Sequence, residues 1–162
     1  MSIRPYQSQD FPAVVTAMHR FQAYLADLDP QGYTRSGKDF NAEKYTGICL
    51  EKAQQEGGLF LVAEERDEIV GFIVAALRKP VIKDDEDEFP RKKGDILELF
   101  VDENYRGQKL GFTLMQKAEE HLKNLGCTLL VVDCFAPNTL AHHFYQRYGF
   151  NDRLITMSKP LE

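Results

Sequence analysis

Two apolar, β-branched runs, ILELFV at 96–101 and TLLVVD at 128–133, bracket one amphipathic helix, and no other feature restricts the fold as much. The helix starts near Leu110, and Leu114, Met115, Ala118, Leu122 and Leu125 keep its period. Gly126 follows as the residue that stops it. A strand, a crossover helix and a second strand pack with the strands parallel and the helix on one face. The second run has no polar alternation, which predicts a strand covered on both faces.

The flanking sequence supplies the rest of a sheet. Residues 2–6 read as a short strand limited by Pro5. A helix follows, with Asp10 as N-cap, Pro12 in the first turn, and Val14, Met18, Phe21 and Leu25 at helical spacing. Residues 27–39 carry Pro30, Gly32 and Gly37 and read as a surface loop. A second helix over 40–55 buries Tyr45, Ile48, Cys49 and Ala53, with Gly47 costing ~1 kcal/mol inside it. Beyond Gly57-Gly58, the runs 59–63 and 69–77 are joined by a short polar segment, as in an antiparallel hairpin. Residues 79–93 contain the acidic run 84–88 and two prolines, and predict a solvated loop. Ala141, Phe144, Tyr145 and Tyr148 mark a last helix between Asn138 and Gly149, and 153–159 reads as a closing strand. The expected architecture is α/β: one domain over 1–162, with a mixed, mostly antiparallel sheet and a central parallel βαβ unit.

Composition narrows the function classes. With 162 residues, 43% hydrophobic and 28% charged, the chain has the means to bury a full core without staples. A net charge of −5 speaks against a general nucleic-acid binder. Cys49, Cys127 and Cys134 form no CxxC pair and sit in apolar segments, so reduced thiols are expected and a zinc site is not. No apolar run reaches the length of a membrane span, and the first residues show no signal-peptide core. These features predict a cytoplasmic protein that uses neither a metal nor a membrane.

The turn Arg106-Gly107-Gln108-Lys109-Leu110-Gly111 between the first strand and its helix is the chemically suggestive stretch. Backbone N–H groups, the positive helix end and two basic side chains there suit a phosphate or pyrophosphate. The same residues also fit an ordinary strand-to-helix turn with a solvated basic face. No Gly-Lys-Ser/Thr follows, and GxGxxG is absent, so neither common nucleotide loop applies.

The run LFVDENYRGQKLGFTLMQKAEEH resembles the acetyl-CoA-binding motif of the GNAT superfamily of N-acetyltransferases, Q/R-x-x-G-x-G/A, with Arg106 and Gly111 at its ends. Downstream, the segment from Asn138 through Tyr145 to Phe150 is similar to the Asn…Ala…Phe-Tyr…Gly-Phe segment of that family. The likeness is close over 95–150; before that only the order of elements agrees. It departs at Lys109, where the family has its middle glycine.

The resemblance implies a fold whose two parallel strands splay to hold acetyl-CoA as cosubstrate. Leu99, Phe100 and Val101 would bond the pantetheine arm by their backbone, and Arg106, Gly107, Gln108, Lys109, Leu110 and Gly111 would cradle the pyrophosphate. Asn138 and Phe144 would complete the cofactor site. Tyr145 would protonate the departing thiolate, as a phenol still protonated at neutral pH can; the other reading is that it packs with Phe144 and Tyr148. Glu98, facing away from Leu97 and Leu99, is either the group that takes a proton from the amine or a solvated strand residue. Asp133 is a weaker candidate of that kind. His19, His121, His142 and His143 have no partner evident in sequence, and Cys134 reads as a core thiol.

The expected function is acyl-CoA-dependent N-acyl transfer, most naturally of acetyl, to a primary amine of a small molecule or peptide by direct attack. A non-catalytic CoA-binding sensor or interaction module of the same fold is the alternative that Lys109 raises. An unrelated α/β anion-binding protein is a third reading. The acidic run 84–88 is either a lure for cationic acceptors or a solvated loop, and the loop 27–39, with Tyr33 and Arg35, is a second candidate wall. The family implies homodimers, although no residue pattern here demands one.

Overall fold

The computed structural model describes residues 1–55, 57–79, 89 and 91–161; the acidic run 84–88 lies outside them. The elements are β1 (Ser2–Pro5), α1 (Phe11–Leu28), α2 (Ala42–Gln54), β2 (Leu59–Glu65), β3 (Glu68–Leu77), β4 (Lys93–Val101), α3 (Leu110–Asn124), β5 (Leu129–Val132) and α4 (Thr139–Tyr148). The strands form one sheet in the order β1-β2-β3-β4-β5. All neighbours are antiparallel except β4 and β5, which are parallel with α3 crossing between them. The expected mixed sheet and central βαβ unit are therefore present. β2 and β3 join through Arg66 and Asp67, both at positive φ, +51° and +64°. That conformation at both turn positions matches the twist of a two-residue hairpin.

Each face of the sheet is covered by helices whose apolar stripes point inward. On one face α3 sets Leu114, Met115, Ala118 and Leu122, all fully buried, against Leu61, Ala63, Ile73, Ala75 and Ile96. On the other, Val14, Ala17 and Met18 of α1 and Cys49 of α2 pack on Phe60, Val62, Phe72, Val74 and Phe100. A fully buried aliphatic or aromatic side chain contributes about 1.5–3 kcal/mol, so these two layers supply the main stabilisation.

An irregularity in β4 decides which face its side chains reach. Glu98 is opposite Val74, but Ile96 is opposite Ala75, so Leu97 is an extra residue in the ladder. A bulge of this kind reverses the alternation. Ile96 accordingly packs under α3, whereas Glu98 and Phe100 turn to the α1–α2 face. Parallel pairing with β5 runs from Lys93↔Leu129 to Ile96↔Val132 and ends there. The bulge and the end of the β4–β5 ladder thus fall at the same place.

Three expectations change. Asp10 occupies the N-cap of α1 but makes no cap bond; its carboxylate accepts from both Arg4 nitrogens (2.7 and 2.8 Å) and from the Gln7 N–H. The charged guanidinium outcompetes the helix N–H groups for it. Strand β5 is half-buried at every residue, not covered on both faces, because it is the last strand of the sheet. Finally, 153–159 forms no strand: it is extended and exposed, with no ladder beside it among the described residues. A strand needs a neighbouring strand to satisfy its backbone, and no ladder among the described residues includes this segment.

Candidate active site

Past Ile96 and Val132 the two parallel strands part, and a cleft of about 650 Å³ opens between them. The edge of β4 from Leu97 to Val101 faces it without a strand partner on the β5 side. The cleft is floored by Glu98, Leu99, Phe100 and Val101. Arg106, Gly107, Lys109, Leu110 and Gly111 close it at the α3 N-terminus, and Asn138, Ala141, Phe144 and Tyr145 line it from α4. The residues named from sequence therefore converge on one cavity, with one exception. Gln108 is exposed and does not line it; its amide donates to the Asn104 carbonyl at 3.0 Å.

The turn that opens α3 has the features of an anion cradle. The first N–H groups of a helix lack intrahelical acceptors, and here no side chain caps them. Lys109 sits at the N-cap with φ +65°, ψ 4°, the left-handed conformation that suits glycine. The chain adopts the glycine geometry although the residue is lysine, so the substitution strains the turn without abolishing it. Gly107 is left-handed as well, at φ +76°. Behind the turn, Arg106 Nε donates to the Val101 carbonyl at 3.1 Å, and its guanidinium lies 5.6 Å from the Tyr24 ring centre. Both contacts fix the cation at the cleft wall. Asn138 caps α4 by accepting from the Ala141 N–H at 3.1 Å, and it also receives the Tyr24 hydroxyl.

Among the described residues, Glu98 is the one buried acidic side chain in the cleft, 9% exposed. Burial pushes its carboxyl up to about 7, offset in part by the Tyr45 hydroxyl that donates to Oε1 and by Lys52. Desolvation is the largest influence, since a carboxylate surrounded by Phe100 and Leu97 loses its hydration. Tyr145 has its phenol pushed well above the usual tyrosine range by burial, then by Cys134 and Glu98. It remains a protonated donor throughout physiological pH.

The cysteines offer no competing nucleophile. Burial holds the Cys134 thiol above its ordinary value, and its S–H donates weakly to backbone carbonyls at 3.9 Å. Burial, and then the nearby Glu98, push the Cys49 thiol up to about 12. All three cysteines are free thiols.

Several expectations about the walls are revised. No residue of 27–39 lines the cleft. Tyr33 is exposed, and Asp29 ties this loop to itself through the Gln31, Tyr33 and Thr34 N–H groups. The facing wall is instead Phe21, Tyr24 and Leu25 of α1 with Tyr45 of α2. Tyr45 was legible only as an apolar helix position; its bond to a residue 53 positions away leaves no local trace. Asp133 reaches the cleft rim but is exposed. His142 does have a partner, Asp152, at 2.6 Å, outside the cleft. Among the described residues no group of three or more His, Cys, Asp or Glu is placed to hold a metal ion.

The splayed parallel pair, the uncapped α3 turn and the α4 tyrosine make up the geometry that the GNAT resemblance implied. The chain matches the acetyltransferase (GNAT) family over residues 19–150 and belongs to it. It is 34% identical over 68 residues to glucosamine 6-phosphate N-acetyltransferase of Arabidopsis thaliana, a match covering 42% of this chain and 44% of that protein. Matches to curated relatives span about half of their length. Among solved structures, the BH1408 protein of Bacillus halodurans superposes with a TM-score of 0.83 at 24% identity, covering 100% of both chains. An aminoglycoside acetyltransferase, AAC(6')-Iy, solved with a CoA-based bisubstrate analogue, superposes with a TM-score of 0.66 at 18% identity. That match covers 99% of this chain and 98% of the other. At these identities the two structures speak for the fold.

Proposed function

We propose that the protein is an N-acetyltransferase, a single domain over 1–162, that takes acetyl from acetyl-CoA and gives it to a primary amine of a small molecule or peptide. One observation carries this reading: the unpaired edge of β4 leads into a cleft shared by a protonated phenol, Tyr145, and a buried carboxyl, Glu98. The residues present fit the cosubstrate. A free strand edge offers amide groups at the spacing of an added strand, which suits the two amides of pantetheine. The α3 N-terminus, with Arg106 and Lys109, suits the pyrophosphate.

Acetyl-CoA supplies the activated acyl group as a thioester. The chain's part is to hold it against Leu99–Val101 backbone, to exclude water behind Phe100 and Phe144, and to move protons. Amines of pKa near ~10 arrive charged at neutral pH, and a charged amine cannot attack. Glu98, with its carboxyl near 7, is ionised in a large share of molecules at neutral pH and receives that proton directly or through water. Tyr145 gives its phenolic proton to the leaving sulfur. Backbone N–H groups of Leu99–Val101 stabilise the developing oxyanion.

The acceptor is a small-molecule amine in the relatives named for glucosamine 6-phosphate and aminoglycosides. The wall of Phe21, Tyr24, Leu25 and Tyr45 beside Glu98 suits an acceptor with an ammonium next to an apolar or ring face. The reduced thiols accord with a cytoplasmic location, and no helix among the described residues is long and apolar enough to cross a membrane.

The test is free-thiol release from acetyl-CoA with a panel of amino sugars, aminoglycosides, polyamines and lysine peptides. Amine-dependent release is expected. Stabilisation by acetyl-CoA in thermal melts without release on any amine would favour a CoA-binding module instead.

A further inference from the structure

We infer, on the acetyl-transfer reading above, that Tyr45 is a positioning residue for the proton acceptor: its hydroxyl holds one oxygen of Glu98, leaves the other free toward the amine, and stabilises the carboxylate in its charged form. The bond joins two elements 53 positions apart, with the Tyr45 hydroxyl donating to Glu98 Oε1. Among the described residues no group donates to Oε2. Glu98 lines the cleft, so an incoming ammonium meets an oxygen that no side chain has already claimed.

The local structure fixes where that hydroxyl points. Asn41 caps α2 by accepting from the Lys44 N–H at 2.8 Å, which sets Tyr45 in the first turn. Its ring centre lies 5.5 Å from that of Phe40, and Phe40 meets His19 of α1 edge-on at 6.0 Å. Thr46 and Cys49, both buried, seat the same helix on the protein's core. Positions 45, 49 and 52 fall on one stripe of α2, so Tyr45, Cys49 and Lys52 all face Glu98 from that element. α4 brings Tyr145 toward it, β3 sets the apolar Val74 opposite, and Tyr24, Asp133 and Cys134 line the same cleft. Burial raises the Glu98 carboxyl to about 7, and of the two influences that lower it the Tyr45 bond outranks Lys52. Burial, then the Glu98 charge, push the Tyr45 phenol far above the usual tyrosine range, so it remains the donor. A donor that keeps its own proton favours the charged carboxylate and leaves Oε2 to take the proton from the amine.

Tyr45→Phe keeps the ring that packs on Phe40 and removes the donor. The Glu98 carboxyl carbon, followed by NMR without substrates, is expected to titrate about one to two pH units higher in this variant. The rising limb of the rate of acetyl transfer against pH should move up by the same amount. The loss at neutral pH is then about tenfold or more, and the rate recovers above the limb. A residue needed only for packing would lower the rate equally at every pH. In the unaltered chain, the Tyr45 ring carbon that bears the hydroxyl should shift at the same midpoint as Glu98, a test that does not depend on how the variant folds. Equal Glu98 midpoints in the two proteins, a uniform loss of rate across pH, or a Tyr45 resonance that ignores the Glu98 titration overturns the proposal. The titrations need no turnover. Should no amine be acetylated, the acetyl-transfer reading fails, while NMR still decides whether Tyr45 governs Glu98.

Discussion

At the residue scale, the proposed chemistry turns on two protons, and each can be followed. Tyr145→Phe removes the proposed acid while keeping the ring that packs on Phe144 and Phe150. We expect kcat to fall by about 10²–10⁴ with CoA affinity unchanged by calorimetry. Activity should rise with pH through about 7 as Glu98 ionises, and Glu98→Gln should flatten that limb along with lowering the rate. Stability responds in the opposite sense. Between the ordinary carboxyl value of 4.5 and about 7, the unfolded chain has lost its Glu98 proton while the folded chain keeps it. Stability linked to Glu98 is therefore full below that window and lost as pH rises through it, by about 3 kcal/mol. Denaturant melts of wild type and Glu98→Gln across this range should show the difference; parallel curves would contradict a buried, titrating Glu98. Lys109→Gly should relieve the left-handed strain and add about 0.5–1 kcal/mol. Tyr145 was legible because it lies inside a local motif. Glu98's partner Tyr45 was not, because their meeting depends on how α2 lands on the sheet.

At the element scale, the bulge at Leu97 is what makes a binding strand out of an ordinary one. It turns Glu98 and Phe100 to the acceptor side and coincides with the point where β5 leaves β4. Deleting Leu97 should remove the extra residue while keeping Ile96 under α3 and Glu98 opposite Val74, let β5 pair with β4 beyond Ile96, and abolish the thermal shift by acetyl-CoA. A retained shift would show that the bulge is incidental. The β2–β3 hairpin and the βαβ unit were legible because turn chemistry and hydrophobic period are written in adjacent residues. The bulge was not: ILELFV alternates evenly in sequence, and only the pairing with β3 reveals the extra residue. For the same reason TLLVVD read as a strand covered on both faces and 153–159 as a closing strand, because pairing partners are not written in adjacent residues.

At the scale of the whole molecule, two helical layers clamp a sheet in which β4 and β5, the one parallel pair among the described residues, are pried open at one end, and every group proposed for chemistry lies in that opening. The family likeness over 19–150 and the full-length superpositions on the BH1408 protein and on AAC(6')-Iy place the chain in this fold; the proposed amine acceptor is a matter for the acceptor panel. The most direct test of the central claim is a crystal structure with CoA bound. The account predicts pantetheine along the free edge of β4 at 97–101, pyrophosphate at the turn 106–111, and the sulfur within hydrogen-bonding reach of the Tyr145 hydroxyl. CoA bound elsewhere, or bound in the cleft with its sulfur turned away from Tyr145, would contradict it.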